Sequence, residues 1–205
     1  VTTAHALSLT FFHILANPSI KARLQNELRG AYSEADAVTW NTLSQLPFLS
    51  AVITEGLRLS FGVSHRLQRV SPDRPLQYKQ YIIPPGTPVS STQMFVMTDP
   101  TIFPQPMKFT PERWIPEQRP HGFPHPHEAR KFFIPFSRGT RSCVGMNLAY
   151  AELFITIGTL MRPPAAGGTL RMELFETKAR DFQVEFDWFN PCPPLDSKGL
   201  RVQIL

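Results

Sequence analysis

The chain has 205 residues, of which 42% are hydrophobic and 18% charged, enough apolar content for one sizeable core and too much for a disordered chain. A net charge of +5 is spread along the sequence, and no basic tract is interleaved with aromatics; this argues against nucleic acid and leaves an acidic protein as the better partner. No window approaches about 18 uninterrupted apolar residues, and the first residues carry neither a basic segment nor a cleavage signature, so no membrane span or targeting signal is expected.

Helices are expected to dominate the first third. Residues 4–16 are largely apolar, with Leu7, Phe11, Ile14 and Leu15 at helical spacing, and read as the back half of a longer buried helix stopped by Asn17-Pro18. A second helix is predicted for 19–31, capped by Ser19 or Asn17, with Ile20, Leu24 and Leu28 on one face. Thr39 can cap a short helix reaching Leu46, and 48–60 forms another around Leu49, Val52, Ile53 and Leu57. Between His65 and Thr92 the pattern shifts to short strand-like runs at 66–70, 76–78, 81–83 and 88–91, with Pro84-Pro85-Gly86-Thr87 as a turn, and small hairpins are the natural reading. A short helix at 93–97 leads into a Pro- and His-rich meander that ends near Pro135. His121, His125 and His127 match no common zinc spacing there and read as solvated loop residues. A helix to about Met161 follows, then alternating runs at 170–175, 182–186 and 200–205. The predicted class is mainly α with small β-sheets. Cys192, in Asn190-Pro191-Cys192-Pro193-Pro194, reads as a loop residue, and the lack of an evident disulfide fits a reducing compartment.

The densest motif is Phe136-Ser137-Arg138-Gly139-Thr140-Arg141-Ser142-Cys143-Val144-Gly145, spaced F-x-x-G-x-R-x-C-x-G. A thiolate is favoured by cationic neighbours and by a helix N-terminus. Arg138 and Arg141 precede Cys143, and a run with the spacing of a buried helix opens at Met146. Gly139 and Gly145 would permit backbone angles and close approaches that a side chain forbids, so a flat ligand could lie against the main chain. The alternative is a small buried thiol at a loop-to-helix junction. Elsewhere, Glu55 and Arg58 sit three apart on one helix face, either as an exposed intrahelical pair or as part of something larger, and Pro111-Glu112-Arg113-Trp114 follows about fifty residues on.

Taken together and in this order, the cysteine loop, the E-x-x-R pair and the P-E-R segment resemble the carboxyl-terminal half of the cytochrome P450 family, and in general appearance its members from filamentous fungi that oxidise terpenoids or other secondary metabolites. The resemblance implies one partial domain over 1–205: the end of the distal helix, the E-x-x-R helix, the meander, the cysteine loop and the terminal strands. It implies haem as cofactor, with Cys143 as the proximal thiolate ligand of the iron, Arg141 paired with one propionate, Phe136 packed beside the sulfur and Gly139 shaping the loop. It places Arg69 as a second propionate partner, with Arg66 and His65 less clearly assigned, and turns Val63 and Ser64 toward substrate. Glu55, Arg58 and Arg113 would form a buried structural triad beneath the loop. The family's distal helix commonly carries A-G-x-[Asp or Glu]-T-T; here Val1 stands where the acid is common, and Thr2 becomes the hydroxyl that hydrogen-bonds oxygen at the iron, unless Thr2 and Thr3 merely begin a truncated helix. The run Pro163-Pro164-Ala165-Ala166-Gly167-Gly168 is not expected in the family and could be a gene-model artefact.

The activity implied is insertion of one atom of O2 into a small apolar substrate, with electrons from NADPH delivered by a reductase docked near Arg130, Lys131 and Arg138. Family members of full length would sit on the cytosolic face of the endoplasmic reticulum, held by an anchor absent from this chain. Rival readings are a catalytically inactive truncated product that at most binds haem or a partner, and a small fold with a merely structural cysteine loop.

Overall fold

The structure, a computed structural model, describes residues 1–33, 38–168 and 170–205. Two helices cross at its centre. α1 (Thr2–Ala16) buries Ala6, Leu9, Phe11, Phe12 and Ile14, and α4 (Pro47–Ser60) is buried from Phe48 to Ser60 apart from Ser50. Helices this apolar on every side belong inside a fold rather than on its surface. Their closest approach depends on one residue: a Cβ built on Gly56 would lie 2.0 Å from Thr10 Oγ1. Gly56→Ala is therefore expected to cost about 1–3 kcal/mol through overpacking. Thr10→Ala in the same chain should restore part of that loss in urea denaturation; no coupling between the two changes would refute the contact.

α4 begins at a proline with Leu46 as its cap residue, and Leu46 has no side-chain oxygen to offer the free amides of the first turn. Glu27 of α2 (Pro18–Ser33) supplies it, accepting from Phe48 N and Leu49 N at 2.8 Å each. A carboxylate there also meets the positive end of the helix dipole. α2 begins at Pro18, directly after Asn17, whose carbonyl accepts from Lys21 N at 3.0 Å. The Asn17 side-chain amide donates to His13 O at 2.7 Å, closing the end of α1. α3 (Trp40–Ser44) has Thr39 as its cap, 3.3 Å from Thr42 N, and stops before Leu46. α7 (Met146–Leu160) completes the core with Leu153, Phe154 and Ile157.

Around this core lie two-stranded antiparallel sheets: β1 (Arg69–Val70) with β4 (Pro88–Val89), β2 (Leu76–Tyr78) with β3 (Tyr81–Ile83), β5 (Met172–Leu174) with β8 (Val202–Ile204), and β6 (Phe186–Trp188) with β7 (Asn190–Cys192). The fold is mainly α with small sheets.

Several local expectations need correction. The run at 66–70 pairs only at its last two residues, and 88–91 only at its first two. The strand expected at 182–186 begins at Phe186; Phe182 instead ends a 3-10 turn, Ala179–Phe182, whose Asp181 carboxylate accepts from Lys178 N at 2.8 Å and draws the backbone away from extension. Cys192 lies in a strand, not a loop. The meander contains α5 (Gln93–Met97), as expected, and also α6 (Pro126–Arg130), capped by His125 Nδ1 accepting from His127 N at 3.2 Å. Its 3-10 turns, Pro111–Trp114 and Pro116–Gln118, both start on proline, whose missing N–H is no loss at a helix start. The unexpected run after Arg162 folds back tightly, with Gly168 N donating to Pro163 O at 3.0 Å and the Arg162 guanidinium 4.4 Å from the Tyr32 ring centre. Among the described residues no helix is long and apolar enough to cross a membrane.

Candidate functional site

The foundation of the site is a fully buried carboxylate. Glu55 Oε2 accepts from Arg58 Nε and from Trp114 Nε1, each at 2.9 Å. Its Oε1 accepts from Arg58 Nη2 at 2.9 Å, Thr110 N at 3.1 Å and Arg113 Nε at 3.4 Å. Glu55, Arg58 and Arg113 are all 0% exposed. Burial pushes the Glu55 carboxyl up, yet the Arg58 charge and hydrogen bonds, with Arg113 and the Thr110 amide, outweigh it and hold the group below its ordinary range. Burial lowers Arg113, against the pull of Glu55. Arg58 Nη1 reaches Met97 O at 2.8 Å and Arg113 Nη2 reaches Pro104 O at 3.1 Å, so the arginines bolt α4 to the meander through backbone carbonyls. The Glu55–Arg58 pair is thus buried, and the exposed intrahelical alternative falls away.

The meander delivers the cysteine loop. Ser137 (φ 61°) and Gly139 (φ 80°) turn the chain through left-handed backbone, and Gly139–Arg141 forms a 3-10 turn. Gly145 has an ordinary φ of −86°, and a Cβ there would sit 3.9 Å from Cys143 Sγ, an ordinary contact, so neither backbone angle nor crowding by the described residues requires glycine at this position. The Cys143 amide is fixed by Phe136 O at 2.9 Å, while the Phe136 ring packs on Tyr150 with centroids 5.3 Å apart. Cys143 is exposed, and its sulfur makes no hydrogen bond among the described residues. It stands two residues before Gly145, the cap of α7, which carries neither a side-chain cap nor an acid in its first turn. The positive end of that helix is left uncompensated beside the loop.

The two arginines of the loop part company. Arg138 turns back and donates through Nη2 to Arg130 O at 3.0 Å. Among the described residues Arg141 makes no side-chain hydrogen bond or ion pair, and it opens, like Cys143, on a cavity of about 620 Å³. The cysteine loop and α7 form one side of this cavity, with Phe136, Arg141, Cys143 and Ala149; α1 contributes Thr2, Thr3 and Ala6. Thr2, Phe136, Arg141 and Cys143 are therefore brought together. Gly139 shapes the loop without lining the cavity, and the Glu55 network lies outside it. Arg69 lies in an adjacent cleft of about 440 Å³ that it shares with Arg138, its Nη1 donating to Gln68 O at 2.9 Å. Val63 lines the cavity, but Ser64 is buried and gives its hydroxyl to Asp187 Oδ1 at 2.7 Å, so Ser64 fastens the β6–β7 hairpin. His65 joins that fastening through Asp187 Oδ2 at 2.9 Å.

Leu67, Gln93 and Phe189 also line the cavity. Nothing in their local sequence singles them out: Phe189 arrives by the hairpin turn between β6 and β7, where its φ is 70°, and Gln93 by the first turn of α5.

Comparison with known proteins gives a consistent picture. The family profile described as Cytochrome P450 matches residues 1–163. Over 98% of its length the chain is 45% identical to "Cytochrome P450 monooxygenase oblB" of Aspergillus clavatus, covering 37% of that protein. It is 38% identical to "Stellatic acid synthase" of Emericella variicolor over 100% of its length, covering 42% of that protein. It is 41% identical to "Tryptophan 6-hydroxylase fscE" of Fusarium equiseti, again over 100% of its length and covering 38% of that protein. The chain thus spans 37–42% of these relatives.

Proposed function

The chain belongs to the cytochrome P450 family, and from that premise we propose that it is the haem-binding part of a haem-thiolate monooxygenase, with Cys143 as the ligand of the iron. The observation that carries this reading is the pairing, on one largely apolar cavity, of a thiol and a guanidinium that have no hydrogen-bond partner among the described residues, with α1 as a further wall. The donor set fits the group: a soft sulfur for iron, a fixed cation for a carboxylate, and aliphatic surface for a porphyrin. When bound, haem supplies the activation of O2 and the transfer of one of its atoms to an organic substrate.

The chain's own residues then have separable tasks. Cys143 binds through Sγ, held by the peptide hydrogen bond to Phe136. Arg141 orients one carboxylate edge, and Arg69, in the adjacent cleft, is placed for the other. Thr2 brings a hydroxyl to the wall formed by α1, where it can donate or relay a proton at Oγ1. Leu67, Val63 and Phe189 exclude water and select an apolar substrate. Arg130, Lys131 and Arg138 give a basic rim on the cysteine side for an acidic reductase that draws on NADPH, although Lys131 is also paired with Glu128 at 2.8 Å. The names of the relatives, monooxygenase and hydroxylase among them, support this class of reaction. The full-length protein is assigned on the same reading to the cytosolic face of the endoplasmic reticulum.

The test is spectroscopic. The purified chain, supplied with haem and reduced under carbon monoxide, should show the red-shifted Soret band of a thiolate-ligated ferrous complex. Cys143→Ala should abolish that band, and an unchanged band would exclude Cys143 as the ligand. A thiolate band without conversion of apolar substrates would favour a binding-only role.

A further inference from the structure

We propose that Asp187 is a positioning residue for the cavity: it fixes Phe189 relative to Val63 and thereby sets the width of ligand accepted beside the cofactor. This rests on the haem reading above and assigns a role to a carboxylate that no motif marks and that lies outside the cavity. Val63 and Phe189 both line the cavity, yet they come from segments far apart in the chain. Phe189 is the single residue that reverses the chain between Trp188 and Asn190, which pair across the hairpin. Its φ of 70° lies in the left-handed region, where a bulky side chain is seldom found unless its surroundings impose it. The hairpin alone does not impose it. Each strand has three residues, Pro191 offers no N–H to the ladder, and a two-stranded hairpin of that size is marginal at best.

The constraint comes from Asp187. Its Oδ1 accepts from Phe189 N at 3.1 Å, closing the turn from within, and from Ser64 Oγ at 2.7 Å. Its Oδ2 pairs with His65 Nδ1 at 2.9 Å; an ionised carboxylate only accepts, so that nitrogen carries the proton. These bonds, that of Ser64 foremost, hold the Asp187 carboxyl below its ordinary range. Phe189 O in turn accepts from Ser64 N at 3.1 Å and from His65 N at 3.4 Å, and the Phe189 and His65 ring centres lie 6.2 Å apart. One carboxylate therefore ties the turn that carries Phe189 to the two residues that follow Val63. The groups held out to the cavity are a phenyl ring and an isopropyl group, so the property they read is the bulk of an apolar ligand.

The experiment uses the haem-loaded chain and two azoles that bind ferric iron through nitrogen, imidazole and the wider 1-phenylimidazole, each titrated by the red shift of the Soret band. Asp187→Ala should lower the preference for 1-phenylimidazole about fivefold, the effect of one aromatic contact, and leave imidazole unchanged. Asp187→Asn, which keeps an oxygen for Ser64 and Phe189, should recover most of that preference. In a Phe189→Gly chain, which lacks the ring, Asp187→Ala should change the preference no further. Equal weakening of both azoles, an unchanged preference, or the same drop in the Phe189→Gly chain would reduce Asp187 to a structural tie and overturn the assignment while leaving the haem reading intact. In the haem-free chain the Phe189 amide should exchange hydrogen about tenfold faster in Asp187→Ala than in wild type; retained protection would overturn the tie itself. A wild-type chain that takes up no haem would refute the cofactor reading and, with it, the ligand role given to Asp187.

Discussion

Glu55→Gln is expected to destabilise the chain by about 3–5 kcal/mol, the largest effect of any single polar substitution considered, because it leaves two fully buried arginines without their counter-charge. Glutamine matches the shape of glutamate but replaces one acceptor oxygen with an NH2 group. That group would face Arg58 Nη2, Thr110 N and Arg113 Nε, or Arg58 Nε and Trp114 Nε1, donors in either orientation. Against a total stability of about 5–15 kcal/mol for a typical domain, this is a large share. Urea denaturation at neutral pH, followed by far-UV circular dichroism, measures it. A loss below about 1 kcal/mol would mean that the network is not the clamp between α4 and the meander that its geometry describes. Arg58→Lys should also be costly, since an ammonium cannot reproduce the fork that spans Glu55 and Met97 O.

Stability should also fall as the medium is acidified from pH 6.5 to 4, by about 3 kcal/mol in total, on account of His13. This imidazole stacks on Phe109, with centroids 4.4 Å apart and planes 10° from parallel. Burial lowers its pKa from 6.5 to about 4; Glu55 opposes the shift and Arg58 assists it. The sign follows directly. Between those two values the unfolded chain takes up a proton that the folded chain refuses, so protons favour unfolding; above pH 6.5 both states are neutral and the penalty vanishes. His5, also lowered by burial, acts in the same direction. The depressed pKa of Glu55 makes its own contribution persist above the ordinary carboxylate range and disappear only in stronger acid. His13→Phe keeps the stacking and should flatten most of the pH dependence; an unchanged slope would assign the effect elsewhere.

How far the sequence foretold this arrangement depends on how local each signal was. The helical periodicity around Leu24, Leu28, Leu49 and Ile53 marked α2 and α4, because burial on one or more helix faces imposes that spacing. Alternation marked β2 and β3 to the residue, where Leu76 pairs with Ile83 and Tyr78 with Tyr81. The cysteine motif likewise gathered Phe136, Arg141 and Cys143, since the loop that joins them is short. What the sequence did not disclose was set by distant segments. Glu27 caps α4 from another helix. Pro191 lies inside β7, where it faces Asp187 across a two-stranded ladder, a setting in which its missing N–H is tolerated. Arg138 looked like a neighbour of the thiol, but the carbonyl of Arg130 at the end of α6 draws it aside. Gln93 and Phe189 reach the cavity only through tertiary folding.

The hydrogen bond from Trp114 to Glu55 turns that indole into a built-in optical gauge. Trp114 is 5% exposed, whereas Trp188 is 64% exposed, so unfolding changes the surroundings of the first far more than those of the second. Emission from Trp114 should shift to the red as the Glu55 cluster opens. In a chain with both Trp40→Phe and Trp188→Phe, which leaves Trp114 as the one tryptophan, fluorescence would then follow the seam between α4 and the meander more selectively than circular dichroism, which averages over every helix.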